Sequence, residues 1–370
     1  MTYIQRIFAA LVISPLLFVP TVRASENLLG LYGTVCQSEA ETTALIEKCK
    51  SSGIGTLLPS LSGGGTVVWK TTRAQYYPSM QAQLDAGYDA LADLIKQAHA
   101  AGIKVMPSIA IGPGGRMIDA HPEWETRDRN GKASSETVTP SMSFAFPEAR
   151  RAKIELLMDL VNGYDVDGIL LDYCRYPENS KSAETRYGFY GYDLPLLETC
   201  QKVYGFDPRK EPIDSPNWTV FNRLRSETVT TFVKEFRDAL NSSGKSIRLA
   251  GFGDTDADLE MRSCGRDWAA WGSRGLIDDF YLATYTEQGD ALTQATLRAR
   301  AALGSKVRLH ASLTPFNNFV KTDEQMQIHA GLLMAGHADG LWIYREDALT
   351  KLNLWPAAAK VNVTLSQRKE

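Results

Sequence analysis

Asp165-Val166-Asp167-Gly168-Ile169-Leu170-Leu171-Asp172-Tyr173-Cys174-Arg175-Tyr176-Pro177 decides how the rest of the chain is read. Asp167-Gly168 makes a turn. Ile169, Leu170 and Leu171 form a continuous apolar run, as expected of a parallel strand covered on both faces. Asp172 follows without a spacer. A carboxylate joined directly to a buried strand is costly to desolvate unless something pairs or uses it. In a β/α barrel that position lies at the carboxyl end of the strand, where active sites sit. The structural alternative is an Asp that pairs with Arg175 or caps the next loop.

Working outward, the same unit recurs. Residues 28–35 read as a first strand, and 38–52 as a helix with Lys48 and Lys50 near its end, as the helix dipole favours. A second strand at 54–61 opens into Ser62-Gly63-Gly64-Gly65 and a long loop through Trp69 and Tyr76-Tyr77-Pro78. A helix at 84–101 carries Leu91, Leu94, Ile95 and Ala98 at core spacing and is stopped by Gly102. The third strand, 103–111, breaks at Gly112-Pro113-Gly114-Gly115 into a polar loop with His121-Pro122-Glu123-Trp124. Pro147 starts the helix 147–162, since proline suits a first helical turn. After the central strand comes an insertion at 178–216, rich in Tyr, Gly and Pro; loops that long are usually functional. Strands at 246–253, 276–285, 306–313 and 340–345 then alternate with helices at 218–240, 259–272, 291–303 and 322–335.

Eight strands alternating with helices imply a parallel sheet, and eight units suggest closure into a (β/α)8 TIM barrel, a single catalytic domain with long βα loops. An open doubly wound sheet would show an early GxGxxG turn leading into a helix, and Gly63-Gly64-Gly65 does not have that spacing. The expected organisation is a signal peptide over 1–24, the barrel over 25–355 and a C-terminal tail over 356–370.

The signal peptide rests on Arg6 before an apolar run at 7–22 and on Val22-Arg23-Ala24 as a cleavage site. Pro15 and Pro20 interrupt the run, which is short for a membrane span. The expected location is therefore secreted or periplasmic, with no membrane span after cleavage near Ala24. An exported chain can oxidise its cysteines. Cys36 with Cys49 and Cys174 with Cys200 are plausible pairs that spacing alone does not fix, and the fifth, Cys264, is left over. A formal net charge of −3 without a basic stripe argues against a nucleic-acid partner. No CxxC or HExxH occurs, so no metal site and no cofactor are expected.

A set of motifs in fixed order adds to this. Tyr88-Asp89-Ala90-Leu91 leads to Ala98-His99-Ala100-Ala101-Gly102-Ile103-Lys104-Val105, followed by His121-Pro122-Glu123-Trp124, Pro147-Glu148-Ala149-Arg150 and the central stretch from Tyr164 to Pro177. Taken together these resemble glycoside-hydrolase-like family 10 over roughly 28–352. The resemblance implies an exported bacterial TIM-barrel protein, some members of which act on cell-wall or other polysaccharide glycans. It places Phe280-Tyr281-Leu282-Ala283-Thr284-Tyr285 and Trp342-Ile343-Tyr344-Arg345 at the sixth and eighth strands. The chain departs from the family in two places. One Asp stands where paired aspartates are frequent in the fourth strand, and Ala283 stands where an amide side chain is common.

Glycosidic cleavage usually needs two carboxyls flanking the bond, one protonating the leaving oxygen and the other acting as nucleophile or base. The strand ends offer Asp172 as nucleophile or electrostatic stabiliser. Glu287 is the first candidate for acid/base, because period two sets it on the face of Tyr281 and Tyr285, and Asp254 is the second. For Asp254, Asp256 and Glu287 the structural alternative is a cap on the following helix. Sugar rings stack on aromatic faces, which makes Trp69, Tyr77, Trp124, Tyr173, Tyr285 and Trp342 candidate substrate contacts. Arg175, His121, Arg345 and Glu346 are the polar ones. His99 ends a helix at the opposite rim and reads as structural. The function expected is an exported glycoside hydrolase acting on a polysaccharide or cell-wall glycan. The rival is a carbohydrate-binding protein on the same scaffold without turnover.

Overall fold

The computed structural model describes residues 28–178, 189–285, 287–317 and 319–367. The leader and cleavage site expected at 1–24, and part of the 178–216 insertion, lie outside them. Nine strands form one sheet in which every pairing is parallel. In spatial order they are Lys104–Val105, Thr56–Pro59, Leu29–Gly33, Gly340–Tyr344, Arg308–Leu313, Asp279–Ala283, Arg248–Asp254, Gly168–Asp172 and Ser108–Ala110.

The ninth strand arises because the expected 103–111 strand is split at Met106-Pro107. Proline has no N–H to give to a ladder and belongs at breaks and edges. The first half pairs with Thr56 and Leu57, the second with 170–172. The residues between keep contact with both sides: Met106 N–H donates to Leu57 O at 2.9 Å, and Pro107 O accepts Leu170 N–H at 2.8 Å. The sheet therefore curls until its two outer strands are consecutive pieces of one segment.

Helices follow the strands and start at defined caps. Ser38, Asp89 and Thr322 each accept a backbone N–H of the first turn, and Pro147 and Pro216 occupy first-turn positions. Between helices and sheet lies a continuous apolar core that includes Leu57, Ile109, Leu171, Leu249, Leu309 and Leu341. Alternate residues point the other way, into the hollow of the curl. There Leu58, Met106, Leu170, Ala250, Tyr281 and Trp342 form a second buried layer. No described helix is long and apolar enough to cross a membrane.

Three sequence expectations are corrected. Residues 356–367 are not a tail: Trp355–Gln367 is a helix that buries Ala357, Ala358, Val361 and Leu365 at helical spacing and packs on Asp323–Ala335. The 259–272 helix is two, Ala257–Cys264 and Trp268–Ser273, separated where Gly265 adopts a left-handed φ of 74°. All five cysteines are free thiols. Cys174 belongs to the main core and Cys200 to a separate cluster around Trp218 and Phe221, so that pairing does not form.

At the amino ends of the strands, Asp279 is 1% exposed and is gripped by Arg248 at 2.5 Å, Arg308 at 2.9 Å and His310 at 3.0 Å. Burial alone would raise its carboxyl, but His310 and Arg248 outweigh burial and hold it well below the usual carboxylate range. His99 plays a comparable part, bonding Asp167 at 2.9 Å. Removing one partner of a buried ion cluster strands the others. Asp279→Asn is therefore expected to cost about 3 kcal/mol in urea unfolding. Because the folded carboxyl is depressed, the wild-type advantage is fully present above the unfolded-state value and disappears as pH falls through the lower folded one. Equal stability of wild type and variant at neutral pH would contradict this.

Candidate active site

Continuing the inward alternation past the buried layer brings Tyr32, Ser60, Ser108, Asp172, Asp254 and Tyr285 toward the carboxyl ends of their strands. Asp172 is half-buried at the end of Gly168–Asp172. Its Oδ1 accepts the Tyr173 N–H at 2.8 Å, and Ser108 Oγ lies 3.4 Å from Oδ2. Burial raises its carboxyl above the ordinary value, while the Tyr173 amide, Arg266, Arg175 and Ser108 pull the other way. Tyr173 adopts a left-handed φ of 45°, which a non-glycine residue holds only under constraint. The constraint is visible: Tyr173 O accepts N–H groups from both Gly112 and Arg175 at 2.9 Å. A Cβ on Gly112 would lie 3.0 Å from the carbonyl oxygens of Tyr173 and Arg175, tighter than most side chains sit, so glycine eases that approach.

Asp172 lies in a cavity of about 510 Å³, lined also by Tyr32, Gly63, Tyr173, Arg175 and Glu178. The Tyr173 ring is exposed, and the Arg175 guanidinium stands 5.3 Å from its centroid. Arg175 pairs with Glu178 rather than with Asp172. Burial and the nearby Asp172 push the Tyr32 phenol up to about 12, so it remains a hydrogen-bond donor across the physiological range.

Asp254 ends the adjacent strand, which pairs directly with Gly168–Asp172. Its backbone is held from below: Asp254 N–H donates to Glu260 Oε2 at 3.1 Å, and Glu260 forms a buried two-point ion pair with Arg266. Gly253 makes room, since a Cβ there would fall 2.6 Å from Glu260 Oε2. The Asp254 side chain reaches solvent, yet surrounding protein and Glu260 raise its carboxyl to about 6. Of the two loop aspartates it is Asp256 that caps the next helix, accepting Leu259 N–H at 3.0 Å. Glu287 accepts the Thr255 hydroxyl at 2.7 Å. Tyr285 lies within electrostatic reach of both Asp172 and Asp254, and its phenol is raised by burial first.

The remaining candidates are not gathered into one place. Trp69, His121 and Trp124 line a second cavity of about 310 Å³, which shares Ser62, Ala110 and Pro113 with the first. Tyr77 sits with its hydroxyl over Gly63. Trp342 is corrected: it is fully buried, its indole donates to Leu282 O at 3.2 Å, and it forms floor rather than a stacking face. Arg345 and Glu346 lie outside the lining of the Asp172 cavity, as do Asp254 and Glu287. Arg345 bonds Asp347 at 2.7 Å and covers Phe316, and Glu346 accepts the Thr350 hydroxyl at 2.9 Å. Sequence reading overlooked Tyr32 and Ser108, though both fall on the inward alternation of their strands. It also overlooked Glu178, Glu260 and Arg266, which carried no local signal. Among the described residues no group of three or more His, Cys, Asp or Glu could hold a metal ion.

Three solved structures with this fold are an α-L-fucosidase, a β-amylase and a β-galactosidase. An α-L-fucosidase isoenzyme 2 from Paenibacillus thiaminolyticus superposes with a TM-score of 0.62 at 14% identity, covering 93% of this chain and 50% of that one. The catalytic domain of a β-amylase from Paenibacillus polymyxa gives 0.61 at 13%, covering 88% and 94%. A β-galactosidase from the psychrophilic Marinomonas ef1 gives 0.60 at 14%, covering 92% and 59%. At such identities the likeness is one of fold. The family model of glycosyl hydrolase-like 10 matches residues 24–311, and the chain belongs to that family. An S-layer-related protein of Niallia circulans is 23% identical over 244 residues, which is 56% of this chain and 15% of that protein's length.

The Glu260–Arg266 pair makes a testable demand. Glu260→Gln removes a neighbouring negative charge and leaves Arg266 facing Asp254. The Asp254 carboxyl, followed by NMR titration, should fall from about 6 toward the ordinary carboxylate range, and the fold should lose about 3 kcal/mol. An unmoved Asp254 titration would show that Glu260 does not set it.

Proposed function

We propose that this chain is an exported glycoside hydrolase on a closed (β/α)8 barrel, and that it cleaves glycosidic bonds of a polysaccharide or cell-wall glycan with two carboxyls at the strand ends. Closure is supported by residues 104–110, which pair with neighbours on both sides. Export is supported by the charged, apolar and small-residue pattern over 1–24. The carbohydrate substrate is the one the family implies.

The observation that carries the reading is a pair of carboxyls at the ends of adjacent strands, both raised by burial. Asp254 is raised to about 6 by burial and by Glu260, which suits an acid that must hold a proton near neutrality. Burial raises Asp172 as well; the Tyr173 amide, Arg266 and Arg175 act against that rise, and its place at the strand end suits a nucleophile or stabiliser. Tyr173 offers an exposed ring beside it for a sugar face, with Arg175 for hydroxyls or an acidic substituent. Glu287, engaged by Thr255, is placed second as acid/base.

Reducing-end release from a panel of bacterial glycans tests this. Asp172→Asn should lower turnover about a thousandfold while glycan binding persists, and Asp254→Asn about a hundredfold or more. A general acid must be protonated, so kcat/KM should fall as pH rises through about 6, and that limb should vanish in Asp254→Asn. Glu287→Gln should stay within a few-fold of wild type; loss there instead would transfer the acid role to Glu287. The single Asp where the family often has a pair favours a binding-only protein as second reading. Equal glycan binding by wild type and Asp172→Asn, with no release by either, would establish it.

A further inference from the structure

The second cavity carries a feature unrelated to the carboxyl pair. Lys153, on the helix Pro147–Gly163, is 5% exposed and lines this cavity of about 310 Å³. Its ammonium has three donors, yet its one hydrogen bond among the described residues goes to Pro113 O at 2.7 Å. Among the described residues no carboxylate pairs with it. Glu155 and Asp159, on the same helix, are held on the outside by Arg73 and by the Thr71 hydroxyl. A lone buried charge is costly, and burial lowers the Lys153 amine to about 8. The indole N–H of Trp69, fully buried in the same lining, has no hydrogen-bond partner among the described residues. Arg116 also lines the cavity, and no Asp or Glu among the described residues does.

Two buried donors with spare capacity, one of them cationic, call for an acceptor that brings negative charge. The remaining walls are apolar or aromatic, including Met117, Leu157 and Trp124, the last stacked on His121 at 3.8 Å between centroids. Such walls suit a ring or carbon skeleton rather than a fully hydrated inorganic ion. We propose that this cavity binds a small organic carboxylate, with its charge on Lys153, an oxygen on the Trp69 indole N–H and its body against the Trp124 side of the lining. The carboxylate belongs either to an acidic sugar or to a free apolar acid. The site does not depend on hydrolysis at Asp172.

Titration calorimetry of the intact chain with sodium D-glucuronate, sodium benzoate and D-glucose tests the site. At least one acid should bind tenfold or more tightly than glucose. Preference for glucuronate identifies the sugar source and preference for benzoate the free acid. Lys153→Met should weaken that acid at least tenfold and leave glucose unchanged. Its melting temperature should not fall, because the variant removes an unpaired buried charge. Trp69→Phe keeps an aromatic side chain, removes the spare donor and should weaken the same acid several-fold. The proposal is overturned if neither acid outbinds glucose, or if both variants bind the acid as wild type does. Asp172→Asn should retain the acid, which separates this site from failure of the hydrolase reading.

Discussion

The architecture turns on how residues 104–110 divide their hydrogen bonds. Pro107 interrupts what would be one strand, and the halves serve different neighbours, 56–57 on one side and 170–172 on the other. That division brings Ser108 beside Asp172 and Ala110 opposite it in register. Without it the Asp172 strand would be an exposed sheet edge. Its carboxylate would then be hydrated rather than enclosed in a cavity with Tyr32 and Arg175.

The candidate site is assembled by buried polar contacts beneath it more than by the groups that face the cavity. Glu260 and Arg266 sit under the Asp254 backbone, and their ion pair is almost wholly out of solvent. Gly112 and the strained Tyr173 do the same for Asp172. In both cases a glycine eases the close approach of a backbone or carboxylate. Arg266 and Arg175 act on both carboxyls, and burial raises both; Asp172 in addition accepts an amide, and Asp254 in addition faces Glu260.

Much of this could be read from residue order. Strand–helix alternation located every strand of the sheet to within a few residues, since each strand is bounded by glycine, proline or a capping residue. The split at Pro107 was hidden because apolar residues continue across it. The last helix was read as a tail, although Ala357, Ala358, Val361 and Leu365 have helical spacing. At the site, period two points Tyr285 to the inner face, where it packs with Tyr281 and Trp342, but Glu287 lies four residues past the strand end at Ala283, where alternation no longer constrains direction. The same rule, applied to Gly340–Tyr344, sends Leu341 and Ile343 outward to the helices and Trp342 into the hollow. The Glu260–Arg266 pair and Lys153 are products of tertiary packing, and no short pattern announces them.

One pairing has a bearing on how the molecule assembles. Leu29 lies in register with Leu341, and Ser52 on the first helix reaches the carbonyl of Trp355 on the last. A Cβ on Gly53 would collide with Asn362, so the two helices meet there without clearance. Contacts spanning nearly the whole polypeptide carry a large loop-closure cost and slow the search for the native state. Without the distant strand and helix, the βα unit at 29–51 has one flank uncovered.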